Sequence, residues 1–215
     1  MRYTHAFFDL DGTITNSAPG ITHSVQYALR KMGIEPPPAE ALTGFIGPAL
    51  TWGFSHFFGM NNKDSKRAVE YYREYYRASG MLECEVYDGI PELLKELTDA
   101  GVICVLATSK PHVFANQILQ NFELDRYFAL VSGPELDGTR GEKHEVIAYA
   151  AEKLALTDLS RVLMIGDRHH DVHGAAHHGM DCAGVLWGFG SEKELSDAGA
   201  KYLCAMPKDL KTLVL

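Results

Sequence analysis

Near its beginning the chain carries the stretch AFFDLDGTIT at residues 6–15. The apolar start of this stretch is typical of a buried strand, and two carboxylates follow it, two residues apart, just before a glycine. Because side chains alternate along an extended segment, Asp9 and Asp11 can project into one crevice while Leu10 turns into the core. Gly12 permits backbone angles that other residues resist. We therefore expect the chemistry of the protein at the end of this first strand.

The two neighbouring acids call for a cation. Two carboxylates this close repel each other unless positive charge lies between them. Mg²⁺ suits such a position, because it prefers a few carboxylates together with water and phosphate oxygens. Taken alone, Asp-Gly-Thr also fits a turn that caps a helix. The remainder of the chain decides between these two interpretations.

Short apolar runs alternate with helical patterns along much of the chain. Strands are predicted at residues 3–8, 102–107, 127–131, 162–165, 182–186 and 202–203. Apolar residues from Ile90 to Leu97 recur at helical spacing, and Gly101 ends the pattern. Ser191 and Glu194 have the spacing of a capping box. The alternation predicts an α/β fold with a doubly wound parallel sheet, whose active site lies beyond the carboxyl ends of the strands.

Two further predicted strands end in polar side chains, and a helix that begins with a lysine lies between them. The residues concerned are Thr108 and Ser109 after one strand, Lys143 at the start of the helix, and Asp167 and Asp171 after the other strand. All of these strands therefore place their polar residues at the same end of the predicted sheet.

The order and spacing of these segments resemble the haloacid dehalogenase superfamily, and specifically its phosphoglycolate-phosphatase-like branch. The resemblance covers essentially the whole chain, including YDGI at residues 87–90 and GFGS at residues 188–191. It implies a Rossmann-like catalytic core formed by residues 1–15 and 86–215, with an α-helical cap domain inserted at residues 16–85. Amphipathic patterns in the insert favour helices throughout it, except at the three prolines of residues 36–38, which predict a turn or a stiff spacer.

The resemblance implies hydrolysis of a phosphate monoester through an aspartyl-phosphate. Asp9 would attack phosphorus, and Asp11 would protonate the leaving group and then activate water. The Thr108 hydroxyl, the Ser109 backbone N–H and the Lys143 ammonium would bind the phosphoryl group. Each of these roles matches the chemistry of the residue concerned.

The resemblance also implies a metal cofactor, Mg²⁺, with Mn²⁺ as the alternative. Asp9, the backbone carbonyl of Asp11 and Asp167 would hold the metal. Asp171 would act as a further ligand or as a partner of a ligand.

Several basic or polar residues leave alternatives open. Arg140 and Lys153 compete with Lys143 as the fixed positive charge. Lys110 is either a surface charge or a group that orients this corner, and we leave it out of the primary set. Thr108 has an alternative as a simple helix cap before Pro111.

The GFIGP segment at residues 44–48 interrupts the helical pattern of the predicted cap domain. Two glycines and a proline predict a shaped turn there. We predict that Phe45, Ile46 and Gly47 face the ligand and determine substrate specificity. The alternative is an interhelical loop with a hydrophobic anchor.

Five histidines lie within ten positions near the third motif. They are His169, His170, His173, His177 and His178. Such density is compatible with a zinc or nickel site. We favour hydrogen-bonding or solvated histidines, because Asp167 and Asp171 already explain the segment.

Composition limits the class of protein. The 215 residues, of which 46% are hydrophobic, suffice for one catalytic domain with a smaller insert. A formal net charge of −8 argues against general nucleic-acid binding. The chain shows neither a membrane-spanning apolar run nor the pattern of a signal peptide, so we expect a cytoplasmic protein without a membrane partner. The cysteines Cys84, Cys104, Cys182 and Cys204 predict reduced core thiols. The pattern does not predict an oligomeric state.

The predicted activity is that of a Mg²⁺-dependent phosphatase acting on a small phosphorylated metabolite, phosphoglycolate-like or a nucleoside 5′-monophosphate. Sugar phosphates and pyridoxal phosphate are also compatible, because core residues recognise only the phosphoryl group. A dehalogenase would lack Asp11, and a transport ATPase would carry lysine in place of Leu10. A phosphomutase with the same acid pair is one alternative. A non-catalytic phosphate-binding module is another, although no catalytic carboxylate is missing.

Overall fold

The computed structural model describes residues 2–215 and divides into two compact units. Unit 1 comprises Met1–Thr15 and Val86–Leu215, and unit 2 comprises Asn16–Glu85. The roles of catalytic core for unit 1 and cap domain for unit 2 stay predictions.

The strands of the described residues are β1 (His5–Phe8), β2 (Thr15–Asn16), β3 (Glu85–Val86), β4 (Ile103–Ala107), β5 (Phe128–Ser132), β6 (Val162–Gly166), β7 (Asp181–Val185) and β8 (Tyr202–Cys204). The α-helices are α1 (Ala18–Lys31), α2 (Leu50–Phe58), α3 (Asn62–Ala78), α4 (Ile90–Asp99), α5 (His112–Asn121), α6 (Lys143–Lys153), α7 (His169–His177), α8 (Glu192–Asp197) and α9 (Pro207–Val214). Short 3₁₀ helices cover Ala39–Phe45, Gly80–Leu82 and Asp125–Tyr127.

Unit 1 is built on a parallel sheet in the order β5-β4-β1-β6-β7-β8, which confirms the predicted α/β class with a doubly wound sheet. In β1, Phe8 lies opposite Leu106 of β4 and Ile165 of β6. The three central strands therefore end at nearly the same level, which brings their following residues to one edge. Strands β2 and β3 form a separate two-stranded sheet.

The central strand is apolar on both faces because both faces are covered. Ala6, Phe7 and Phe8 have no exposed surface. Phe7 belongs to a core cluster that includes Val146 of α6 and Val172 of α7. Burial of such side chains stabilises the fold by about 1.5–3 kcal/mol each. This explains why the strand is a continuous hydrophobic run instead of an alternating one.

Strand boundaries differ from the predicted ones by one or two residues. Strand β5 begins at Phe128, one residue late, because the 3₁₀ turn Asp125–Tyr127 holds Tyr127. Strand β7 begins one residue early, at Asp181, which pairs with Leu163 of β6. Apolar content alone does not mark these ends, because partly polar residues also join the ladder.

Unit 2 contains α1 to α3, and its helices are interrupted at the three prolines, as predicted. Gly33 takes a left-handed φ of 77° just after α1. Residues 34–38 then have no regular structure, and three of them are prolines, which lack the backbone donor a helix needs. The apolar stripe of α1 is buried, with Ile21, Val25 and Leu29 at most 4% exposed.

All four cysteines are free and buried, as predicted. A helix with the length and apolar character needed to cross a membrane does not occur within residues 2–215.

Candidate active site

Three buried aspartates meet at the carboxyl ends of β1 and β6. Asp9 follows β1, and its backbone N–H donates to Ile165 O at 2.9 Å. Asp167 follows β6, and Asp171 lies in the first turn of α7. One carboxylate oxygen of each lies within 4.8 Å of the others. The ends of two neighbouring strands and one helix therefore position a compact acidic group.

Lys143, the first residue of α6, neutralises part of this charge. Its Nζ lies 2.9 Å from Asp9 Oδ1 and 2.8 Å from Asp171 Oδ1. It also donates to Ala107 O at 2.9 Å. Burial by itself would lower the pKa of Lys143, but the charges of Asp171 and Asp9 raise it above the ordinary range. The side chain is therefore a fixed ammonium group that joins two of the acids.

The other two candidate cations lie elsewhere. Arg140 forms an ion pair with Glu135 at 2.5 Å, and its guanidinium lies over the Tyr149 ring. Lys153 ends α6 and also lies near Tyr149. Of the three candidate cations, Lys143 is the one in contact with the acidic group.

Asp11 has a partner that sequence analysis set aside. Lys110 Nζ lies 2.8 Å from Asp11 Oδ1 and 2.7 Å from Oδ2, and both side chains are largely buried. A lysine three residues beyond a strand usually reaches solvent. Only the parallel pairing of β1 with β4 brings Lys110 and Asp11 together, so Lys110 belongs among the site residues.

Thr108 and Ser109 follow β4 at the same edge. The Thr108 backbone N–H donates to Ser132 O at 3.0 Å, and its Oγ1 accepts from the Lys110 backbone N–H at 3.2 Å. Helix α5 begins at His112 with Pro111 as its N-cap residue. Thr108 is therefore not the cap of that helix.

Gly12 permits the close approach of the first and third motifs. Its φ is +86°, and a Cβ atom there would lie 2.2 Å from Asp167 Oδ2. Any side chain would displace this carboxylate as well as strain the backbone. The glycine of the Asp-Gly-Thr turn is thus required by packing against Asp167.

The acids are incompletely satisfied by protein groups. Asp167 Oδ2 accepts from the Phe189 backbone N–H at 2.7 Å, whereas Oδ1 is buried and has no hydrogen-bond partner among the described residues. Burial, followed by the charges of Asp171 and Asp9, raises the pKa of Asp167 well above its usual range. Burial also raises the pKa of Asp171 to about 6, with Lys143 opposing and Asp9 adding to the shift.

This donor set fits a hard divalent cation. Its ligand atoms are carboxylate oxygens, which such cations prefer. The three carboxylates carry more negative charge than the single ammonium group of Lys143 offsets, and Asp167 Oδ1 is buried without a hydrogen-bond partner within residues 2–215. Asp9, Asp167 and Asp171 are the side chains that would hold the ion. The Asp11 side chain lies outside the group, so a ligand role for its backbone carbonyl stays a prediction.

Tyr87 also lies close to the acids. Burial first, and then the charges of Asp167 and Asp11, raise the pKa of Tyr87 to about 12. Its phenol is therefore neutral near pH 7. Its position within the YDGI segment is the signal that sequence analysis could have used.

Phe45 and Ile46 are buried, and their role in substrate specificity stays a prediction. The Phe45 ring packs against Phe54 and Phe57 of α2 with centroid distances of 5.0 Å and 5.3 Å. Gly47 has a φ of 102° in the turn that follows. The segment lies between the 3₁₀ helix Ala39–Phe45 and α2, and this position agrees with the alternative of an interhelical loop without testing the specificity role.

The histidines make local contacts. His169 Nδ1 lies 2.7 Å from Glu194 Oε1, and His178 Nε2 lies 2.8 Å from His144 O. Within residues 2–215, the group of three or more metal-ligating side chains is the aspartate group, which contains no histidine.

The predicted capping box is half formed. Ser191 Oγ accepts from the Glu194 backbone N–H at 3.1 Å. The Glu194 carboxylate does not return to Ser191, because it accepts instead from Arg168 and His169.

The chain matches known proteins over nearly its whole length. Residues 6–185 match the sequence model of the haloacid dehalogenase-like hydrolase family. A 5′-nucleotidase of Pseudomonas aeruginosa is 45% identical, covering 95% of this chain and 92% of its own. A phosphoglycolate phosphatase of Pseudomonas fluorescens is 29% identical, covering 88% and 72%.

Two further likenesses add detail. The tyrosine-protein kinase PtkA of Mycobacterium tuberculosis is 39% identical over 85% of this chain, which spans only 62% of that relative. The crystal structure of a protein described as a predicted phosphatase, from Clostridium acetobutylicum, superimposes with a TM-score of 0.95 at 44% identity and covers 100% of both chains. The chain therefore belongs to the haloacid dehalogenase-like hydrolase family and is an enzyme of its phosphatase type.

Proposed function

We propose that this enzyme hydrolyses small phosphate monoesters through an aspartyl-phosphate formed on Asp9, with Mg²⁺ as its cofactor. The observation that carries the proposal is the buried group of Asp9, Asp167 and Asp171, in which Lys143 bridges Asp9 and Asp171 and one Asp167 oxygen is unpaired. When bound, Mg²⁺ supplies positive charge that offsets the repulsion between the carboxylates and a phosphate dianion.

Asp9 is suited to be the nucleophile. Lys143 holds its Oδ1 by an ion pair, and the side chain retains some exposure at the strand end. Attack on phosphorus forms a bond between an Asp9 oxygen and phosphorus while the ester bond to the leaving alkoxide breaks. Water then attacks the aspartyl-phosphate, which releases phosphate and restores the carboxylate.

Asp11 moves the protons of both half-reactions. As a carboxylic acid it protonates the leaving alkoxide, and as a carboxylate it accepts a proton from the attacking water. Lys110 holds the Asp11 carboxylate in place by an ion pair.

The phosphoryl oxygens meet positive charge and hydrogen-bond donors at the ends of β4 and α6. The Thr108 hydroxyl, the Ser109 backbone N–H and the Lys143 ammonium are the groups proposed to bind them. Catalysis then rests on positioning and charge, as phosphoryl transfer requires.

A nucleoside 5′-monophosphate is the favoured substrate class, because the 5′-nucleotidase relative is 45% identical over most of both chains. A phosphoglycolate-like substrate ranks second, given 29% identity to a phosphoglycolate phosphatase. Unit 2, as a cap domain, would select among these substrates. The four free, buried cysteines support a cytoplasmic location.

One observation favours a second candidate. The relative named a tyrosine-protein kinase is 39% identical over 85% of this chain. Such a protein would pass the phosphoryl group to an acceptor other than water, as a phosphomutase also would. The acid pair Asp9 and Asp11 suits either acceptor.

A panel of phosphomonoesters assayed for phosphate release separates these functions. The panel contains nucleoside 5′-monophosphates, phosphoglycolate, sugar phosphates, pyridoxal phosphate and an aryl phosphate, with Mg²⁺, with Mn²⁺ and after chelation. We expect Mg²⁺-dependent release, with the highest kcat/KM for a nucleoside 5′-monophosphate. Absence of release from every ester would contradict the hydrolase function, and release stimulated only by a second phosphate acceptor would favour the second candidate.

A further inference from the structure

Glu194 makes contacts that connect α8 to the acidic group. One of its oxygens, Oε1, accepts three hydrogen bonds, from Arg168 Nε at 2.8 Å, the His169 backbone N–H at 3.0 Å and His169 Nδ1 at 2.7 Å. The residue is partly buried, with 25% of its side chain exposed. A single carboxylate thus holds both the side chain and the backbone of the segment that begins α7.

That segment is the link between two of the acids. Arg168 and His169 directly follow Asp167, and Asp171 comes two residues after His169. The Arg168 backbone N–H donates to Asp171 Oδ2 at 3.2 Å. A shift of this segment would therefore move both Asp167 and Asp171 relative to Asp9.

The segment before Glu194, at residues 189–190, also contacts Asp167. The Phe189 backbone N–H donates to Asp167 Oδ2 at 2.7 Å. At Gly190, a Cβ atom would lie 1.9 Å from Asp167 O. The turn that follows β7 is therefore packed tightly on Asp167, which gives α8 a rigid base from which Glu194 reaches Arg168.

The Glu194 carboxylate is not needed to begin its own helix. Ser191 Oγ already caps the Glu194 backbone N–H. Although burial would raise the pKa of Glu194, Arg168 and His169 lower it to about 2, so the group stays charged. A carboxylate at the first turn of α7 also interacts favourably with the free N–H groups and dipole of that helix.

We propose that Glu194 is a positioning residue that sets the affinity of the aspartate group for Mg²⁺, by fixing the segment between Asp167 and Asp171. The inference rests on the proposed metal dependence. Groups that orient metal ligands from outside contribute about 10- to 100-fold to metal affinity in metalloproteins generally.

Direct metal binding tests the inference independently of turnover. Mg²⁺ affinity is measured by isothermal titration calorimetry, and Mn²⁺ affinity by the loss of the free-ion electron paramagnetic resonance signal. We expect Glu194→Ala to bind both ions about 10- to 100-fold more weakly than wild type. Glu194→Gln is expected to lose less, because its amide oxygen still accepts hydrogen bonds but carries no charge.

Two control variants separate positioning from general loss of stability. Glu192→Ala removes an exposed carboxylate from the same helix and should bind metal like wild type. Asp181→Asn weakens the sheet at the start of β7, away from the acidic group, and should lower the melting temperature without changing metal affinity.

The outcomes are distinguishable. Wild-type affinity in both folded Glu194 variants would overturn the inference alone. A wild-type protein that binds neither ion would overturn the metal dependence of the proposed function. If Glu194→Ala does not fold, Glu194→Gln and Arg168→Ala carry the test, and unchanged metal affinity in both would overturn the inference.

Discussion

Two acidic sites of unit 1, one around Asp181 and one around Asp167, lie at opposite ends of the same sheet and differ in how their charges are satisfied. At the amino ends of the strands, Asp181 accepts from Tyr3 Oη at 2.5 Å and from Lys201 Nζ at 2.7 Å. At the carboxyl ends, Asp167 accepts from one backbone N–H and keeps an unpaired buried oxygen. The first acid has its partners within the protein, whereas the second lacks one.

The pKa values of Asp181 and Asp167 are shifted in opposite directions, in agreement with this difference in partners. Burial opposes ionisation of Asp181, but hydrogen bonds from Lys201 and Tyr3 lower its pKa below the ordinary value. Burial and neighbouring acids raise the pKa of Asp167. An acid whose neighbours stabilise its charge contributes to folding, and an acid whose neighbours oppose its charge indicates a site for a ligand.

The largest expected effect comes from changing the proposed nucleophile. Asp9→Asn should lower kcat for phosphate release by roughly 10⁴-fold or more, because the amide cannot form the acyl phosphate. Asp181→Asn is the matched control and should keep wild-type kcat/KM. Steady-state kinetics and circular dichroism check both variants. Comparable losses of kcat/KM in the two folded variants would contradict a functional difference between the two acidic sites.

A smaller effect is expected on stability in the absence of metal. Asp167→Asn should raise the free energy of unfolding by about 1–3 kcal/mol in chelator, because it removes a buried charge that has no cation beside it. Asp181→Asn should lower that free energy, because it weakens two hydrogen bonds. Urea unfolding measures both changes. A larger loss of stability in Asp167→Asn than in Asp181→Asn would contradict the expected difference between these two acids.

With Mg²⁺ present, wild type should become more stable than Asp167→Asn, which reverses the order of their free energies of unfolding in chelator. A ligand that binds only the folded state stabilises it in proportion to the logarithm of its concentration over Kd. Wild type should therefore gain stability with Mg²⁺, and Asp167→Asn should gain little.

The smallest expected effect is the dependence of folding stability on pH, which has opposite signs at the two acidic sites. The folded pKa of Asp171 is about 6, above the value of about 3.9 in an unfolded chain. The folded state therefore binds this proton more tightly, so metal-free protein should become more stable as pH falls from about 7 to about 5. The lowered pKa of Asp181 contributes stability that is present above about pH 3.9 and is lost as pH falls through its folded pKa.

Unfolding midpoints in chelator at several pH values test these signs. Asp171→Asn should lose part of the rise between about pH 7 and about pH 5, because the raised pKa of Asp167 also contributes to it. Asp181→Asn should lose part of the fall below about pH 4. Stability that decreases steadily from neutral pH in the metal-free protein would contradict the assignment to Asp171.

The sequence by itself predicted the α/β class, the six strands of the parallel sheet to within about two residues, and the end of the sheet at which the aspartates lie. A strand that is buried on both faces needs an apolar run such as residues 6–8, so neighbouring residues in the sequence suffice to predict it. Lys143 is predicted by the family resemblance, which places a lysine at the start of this amphipathic helix. Its contacts with Asp9 and Asp171 are seen only in the folded chain.

Tertiary structure decided the partners of the polar side chains. Lys110 pairs with Asp11, 99 positions away, only because β1 and β4 are neighbours. Glu194 reaches Arg168 across 26 positions instead of completing the local capping box. Phe45 turns inward because the aromatic side chains of α2 surround it. Local pattern records whether a residue prefers water or the core, whereas the pairing of charges depends on chain crossings that bring distant residues within a few ångströms of each other.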